Sequence, residues 1–229
     1  MNKKGFTIIE LMVATMVFSI ILVIALTGIV QVSRAYYKGV TRSRTQDTAR
    51  NLMNEISQSI QLSGSDISIS NPLSAGPNIP VNNRSNGIGI FCAGNKQYTY
   101  ALDRKVASTT NEAEKNINNA VVSEDIPCVS SLTPFNLDNA TTGTQKAVLG
   151  ENMRLTKFNV SRVNPATLSA VVGTAELWRV EISLAYGDQD LLEYTDDSGA
   201  SRVVCKAQVG AEFCSIVELS TIVSRRIGN

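Results

Sequence analysis

"KKGFTIIELMVATMVFSIILVIALTGIVQVS" (residues 3–33) decides the fold of this 229-residue chain. After Glu10 no charged residue occurs until Arg34, so residues 11–33 form one apolar run. As a helix at about 1.5 Å per residue, that run is roughly 35 Å long, enough to cross the ~30 Å hydrocarbon core of a bilayer. No proline interrupts it, and Gly28 is its one glycine. A basic pair, Lys3 and Lys4, stands in front. A secretory signal has a shorter apolar core with a small-residue exit behind it; here the small residue, Gly5, precedes the run. Glu10 is the anomaly. A charge inside an apolar span costs about 2.5–3.5 kcal/mol on insertion scales, so this carboxylate calls for a partner.

No turn signal follows the run until residues 62–65, "LSGS". Ala49, Leu52, Met53, Ile56 and Ile60 recur at the 3, 4 and 7 spacings of one helical face. One continuous helix from Phe6 to about Ser63 is predicted, close to 90 Å long at about 1.5 Å per residue. Gly64 is the expected C-terminal cap, and Gly39 the expected place for a bend. Arg34, Lys38 and Arg42 are four apart and share a face, which reads as a solvated helix surface.

The basic pair, Gly5, Phe6, and Glu10 within an otherwise apolar helix ("KKGFTIIE") resemble the leader of type IV prepilins and type II pseudopilins. The resemblance covers residues 3 to about 30. It implies that a membrane aspartyl peptidase, the prepilin peptidase, cuts between Gly5 and Phe6 and methylates the new amine of Phe6. Lys3 and Lys4 then belong to the leader, and Glu10 is an assembly residue that meets the freed amine of its own or a neighbouring subunit. The implied partners are other pilin or pseudopilin subunits, the peptidase and membrane lipid. The implied division is a removed leader (1–5), a transmembrane and assembly helix (6–33), its amphipathic continuation (34–63) and an extracytoplasmic β-rich head (64–229). Arg34, Lys38, Arg42 and Arg44 behind the span outnumber Lys3 and Lys4 in front, which the positive-inside rule would read the other way. The leader pattern and the cysteines both indicate export and outweigh it.

All four cysteines, Cys92, Cys128, Cys205 and Cys214, lie in the head, and no two form a C-x-x-C pair. In an exported domain an even number reads as disulfides. Cys205 and Cys214 bracket a short loop and pair most easily; Cys92 with Cys128 follows by elimination. After a Ser, Asn, Pro and Gly-rich linker with Pro72, Pro77 and Pro80, β-prone runs occupy residues 87–92, 97–106, 152–163, 175–187 and 214–226. "GNKQ" (94–97) reads as a hairpin turn. Residues 107–144 are expected to be loops, with one short helix near "NEAEKNINNA". The fold class is therefore α+β: pilin-like, with one long N-terminal α-helix packed on an antiparallel β-sheet head. "GENMRLTKFNVSRV", "ELWRVEISLAY", "LSTIVSRRIGN" and "ARNLMNEISQSIQLSG" resemble the minor pilin W and pseudopilin J branch. The insert around Cys128 and the Cys205–Cys214 loop depart from that branch, and Thr27 stands where many major pilins have a kinking proline.

The chain has no histidine, which excludes His-dependent catalysis and His-containing metal sites. No P-loop, dinucleotide-binding, serine-hydrolase or zinc-protease pattern is present. A net charge of +1 points to no polyanionic partner. Asp188, Asp190, Glu193, Asp196 and Asp197 cluster without the spacing of a calcium loop and read as a solvated hairpin tip. Trp178 reads as a packing residue. The expectation is a non-enzymatic minor type IV pilin without cofactor or metal, held in the inner or cytoplasmic membrane and then in a filament. The alternatives are a type II secretion pseudopilin, or a membrane-tethered adhesin whose head meets a surface receptor or DNA.

Overall fold

The computed structural model describes residues 7–64, 67–70, 88–107, 117–128, 133–137, 143–163, 175–197, 200–207 and 210–226. The expected leader and cleavage position, the proline-rich linker and most of the "NEAEKNINNA" segment lie outside the described residues. A single helix, α1 (Ile8–Leu62), runs without interruption for 55 residues, or about 80 Å. It is exposed on every side as far as Gly39. Beyond that it becomes one-sided: Thr41, Thr45, Ala49, Leu52, Met53, Ile56 and Ile60 are buried. The five apolar members are the predicted stripe. Thr41 and Thr45 extend it by two turns, and Thr45 satisfies its hydroxyl on the carbonyl of Thr41 at 2.8 Å. The C-terminal cap differs from expectation. Ser63, in extended backbone, donates both its N–H (3.3 Å) and its hydroxyl (2.7 Å) to Ile60 O, and Gly64 does not take the left-handed conformation of a glycine cap.

Among the described residues the head has ten strands in three antiparallel sheets. The first is β1 (Ser68–Ser70), β2 (Ile88–Ala93), β3 (Lys96–Ala101), β4 (Val121–Glu124) and β5 (Lys146–Ala147), paired in that order. The second places β7 (Ala175–Tyr186) between β10 (Ser215–Arg226) and β6 (Met153–Arg162). The third is the hairpin of β8 (Leu192–Asp197) and β9 (Ala200–Cys205). Strands β2, β6, β7 and β10 fall on predicted runs, whereas β3 stops at Ala101, five residues short of the predicted end. There Asp103 takes a positive φ of 60°, and residues 102–106 instead lie along β6, with Asp103 N–H on Leu155 O and Val106 N–H on Met153 O. The region expected to be loops with one short helix holds β4. Its residues 117–120 are not helical, and Ile117 bridges to Val106.

Gly94 and Asn95 form the two-residue turn between β2 and β3, and Gly94 has the positive φ (63°) such turns need at the first central position. A Cβ on Gly94 would also press to 3.2 Å from Ser63 Cα, so the turn sits directly against the end of the helix.

Helix α1 lies against β10 and β7, and its stripe enters one core with both larger sheets. Phe158 of β6 meets Tyr100 of β3 (ring centroids 4.4 Å apart) and Phe91 of β2 (5.8 Å), joining the two sheets through aromatic contact. Polar ties add direction. Tyr98, buried, hydrogen-bonds Ser59 of the helix at 2.8 Å. Glu55 accepts from Lys96 at 2.6 Å and from Ser123 at 3.3 Å. Ile56 is fully buried at the centre of this arrangement. Ile56→Ala should destabilise the head by about 2–5 kcal/mol through lost burial and a residual cavity, measured by urea unfolding of the full chain in nonionic detergent. A loss below about 1 kcal/mol would show that the helix is not part of the core.

Candidate functional site

The first turn of α1 is organised around Thr7 and Glu10. Thr7 is the N-cap: its hydroxyl oxygen accepts from Glu10 N–H at 3.3 Å, while Glu10 Oε2 accepts from Thr7 N–H at 2.9 Å and from the Thr7 hydroxyl at 2.8 Å. This is a reciprocal capping box, in which two otherwise orphaned N–H donors are satisfied. The Thr-x-x-Glu spacing is itself the signature of such a box, and it gives Glu10 a role that the leader resemblance does not supply. Its carboxylate folds back onto the backbone of Thr7, one residue along the chain from Phe6. Lys3, Lys4, Gly5 and Phe6 lie outside the described residues.

The helix behind this turn shows its apolar side chains in all directions. From Ile8 to Val32 the large hydrophobic residues are between 44% and 82% exposed. No surface of that extent persists in water; it requires lipid or other apolar helices around it. Thr15, Ser19 and Thr27 return their hydroxyls to carbonyls of the preceding turn at 2.8–2.9 Å, so these three polar residues present no unsatisfied hydroxyl donor to that surrounding. Where the apolar run ends, the head begins. The loop between Cys205 and Cys214 seats Phe213 on Tyr37 (ring centroids 5.6 Å) and Glu212 beside Arg34 (3.8 Å). Gly210, at a φ of 96°, starts the short 3-10 turn Ala211–Phe213 that presents these side chains.

Residues 1–26 match the family model of the prokaryotic N-terminal methylation motif. The match covers the basic pair, Gly5, Phe6, Glu10 and most of the apolar run. A search of curated proteins and one of solved structures find no match to the chain. The methylation motif, on an apolar helix leading into an α+β pilin-like head, supports a type IV pilin or pseudopilin: a structural subunit that is a substrate of prepilin peptidase and assembles with other such subunits. It equally supports membrane anchoring through the N-terminal helix.

The other residues singled out in the sequence are dispersed. Cys92 is bonded to Cys128 and Cys205 to Cys214, so no cysteine is free. The two bridges sit at opposite ends of the head, the first behind the β2–β3 turn, where Cys128 N–H donates to Gly94 O at 3.1 Å, the second at the helix base. In the acidic cluster, Asp188 pairs with the largely buried Lys105 at 2.7 Å, and Glu193 is exposed on the β8–β9 hairpin. Among the described residues no group of acidic or sulfur side chains is placed to hold a metal ion. Trp178 is half-buried on β7 and packs on the core. Arg154 is a residue that periodicity could not single out: it is 2% exposed on β6 and donates to Gly187 O at 3.1 Å.

Two outcomes follow. Thr7→Ala removes the cap and should cost the first turn about 1 kcal/mol, seen as roughly fivefold faster hydrogen exchange at the Glu10 amide, with residues beyond Ile20 unchanged. Unchanged exchange at Glu10 would count against the capping box. The bridges close stretches of 36 and 9 residues. On chain-entropy grounds, replacing Cys92 and Cys128 by Ser should therefore cost about 4 kcal/mol against about 3 kcal/mol for the Cys205–Cys214 pair, compared by urea unfolding of each variant.

Proposed function

We propose that the chain is a minor type IV pilin of the minor pilin W and pseudopilin J branch, cut between Gly5 and Phe6, methylated on Phe6 and assembled into a pilus or its tip. On this reading residues 1–5 are the leader. Residues 6–33 cross the membrane and later line the filament core, residues 34–63 are the spine of the head, and residues 64–229 are the head outside the cytoplasm. The observation that carries the reading is the methylation motif on a fully exposed apolar helix whose one acidic residue folds back toward its N-terminus. Two disulfides within the head support an oxidising compartment.

The chemistry follows from the first turn. Cleavage leaves a cationic amine on Phe6, at the edge of the hydrocarbon, where an unpaired charge is costly. Glu10 already accepts from the N–H of the next residue. Its second oxygen can take the new ammonium of the same chain, or that of a neighbour when helices bundle. A charge-assisted hydrogen bond is roughly twice as strong as a neutral one, and in an apolar surrounding neither charge is tolerated alone. The pair thus favours a defined axial stagger between neighbouring helices, whereas apolar packing alone leaves the stagger loosely specified.

The test separates processing from assembly. In cells carrying the cognate peptidase and assembly machinery, Gly5→Ala should abolish the mass loss of the Met1–Gly5 segment plus gain of one methyl group. Glu10→Ala should be processed but incorporated into filaments at least tenfold less. Normal cleavage of the Gly5 variant, or undiminished incorporation without Glu10, would refute the proposal.

A further inference from the structure

A groove of about 720 Å³ opens at the base of the head, between α1 and the loop closed by the Cys205–Cys214 bridge. Its basic lining comes from Lys38 and Arg42 on the helix, Lys157 on β6 and Lys206 just after β9; Glu218 is its acidic member. The charges are not equivalent. Lys157 is occupied by Glu181 (3.1 Å) and Glu218 (3.2 Å), and Lys206 donates to the backbone carbonyl of Asp190 at 2.8 Å. Among the described residues Lys38 and Arg42 form no ion pair, and both are exposed. Two uncommitted cations therefore face a cleft whose acid is already engaged. Val203 and Ile216 add apolar surface to the same cleft.

Depth along the helix decides what meets them. The uncharged run ends at Ser33. At about 1.5 Å per residue, Lys38 stands about 7–8 Å beyond it and Arg42 about 13 Å. The headgroup layer on each side of a bilayer is roughly 5–8 Å thick. The groove thus opens at and just above the phosphate level of the membrane that holds the apolar helix. Basic clusters beside a membrane span are attracted to anionic lipid, and the attraction fades within a Debye length of the surface.

We propose that this groove is a binding site for the headgroup of an anionic phospholipid, with Lys38 and Arg42 on the phosphate and the disulfide loop as the opposite wall. The site holds the head down on the leaflet while the helix is in the membrane. It also assigns a use to a basic row on the side of the span where the positive-inside tendency does not favour it. The inference requires a membrane-embedded helix and is independent of filament assembly.

The test uses the full chain in nonionic detergent, with native mass spectrometry reading bound dioleoyl-phosphatidylglycerol against dioleoyl-phosphatidylcholine. The expected result is at least tenfold preference for phosphatidylglycerol, unaffected by equimolar inorganic phosphate. Lys38→Gln with Arg42→Gln should abolish the preference. Arg44→Gln with Arg50→Gln, which removes two exposed helix cations outside the groove lining, should change it less than twofold. Absence of lipid preference, its survival in the Lys38/Arg42 variant, equal loss in both variants or displacement by free phosphate would overturn the proposal. So would a Lys38/Arg42 variant that loses self-association while keeping its lipid preference, which would assign the groove to a neighbouring subunit.

Discussion

One helix must satisfy two solvents, and the rest of the molecule is arranged around that requirement. Up to Ser33 α1 offers apolar side chains in every direction; such a cylinder is stable only where its surroundings are equally apolar. From Thr41 to Ile60 it narrows to one buried stripe. The backbone is the same regular ladder throughout, so the change is made entirely by side chains. A helix without a break makes the head and the apolar half one rigid lever. Placing the apolar half in lipid or in a helical bundle therefore also places the head.

The head keeps hold of that lever in two ways. Burial supplies the strength: each fully buried large aliphatic side chain on the stripe contributes about 1.5–3 kcal/mol, and Leu52, Ile56 and Ile60 are all fully buried. Polar contacts supply the register. Glu55, with Lys96 and Ser123, and Ser59, with Tyr98, tie the helix to β3 and β4 at particular positions. Sliding the helix by one turn would leave those groups in the interior without partners, which costs more than the bonds themselves contribute. At the other end Tyr37 and Arg34 meet Phe213 and Glu212. The Cys205–Cys214 bridge keeps the loop carrying them short enough to act as a foot.

Legibility tracked how local the governing physics was. The stripe from Ala49 to Ile60 and the strands β6, β7 and β10 were visible because apolar periodicity is a property of a short window. Thr41 and Thr45 were not, because threonine counts as polar in any pattern, yet Thr45, with its hydroxyl returned to the preceding turn, buries as an apolar residue would. The predicted strand after Gln97 ran on to Val106, but the chain leaves β3 at Ala101, and residues 102–106 lie along β6. β4 escaped notice because its four residues, Val121–Glu124, are too few to alternate convincingly; β3 on one side and β5 on the other make it a strand. Glu10 was legible as an anomaly, while its reciprocal bonds with Thr7 emerged only once the helix start was placed.

By itself the sequence determined that residues 11–33 need an apolar surrounding, that the helix continues past them with one apolar face, and that the start of the chain carries a prepilin-type pattern. These depend on composition and on spacings of ten residues or fewer. Tertiary structure alone decided that the described head residues divide into three sheets, that Phe158 locks two of them together, and that Lys38 and Arg42 share a groove with Lys157 and Lys206. Each of those joins positions more than fifty residues apart or chooses among many strand pairings of similar local merit. Such a choice is made by which arrangement buries the most apolar surface while leaving the fewest polar groups unpaired, a property of the whole chain at once.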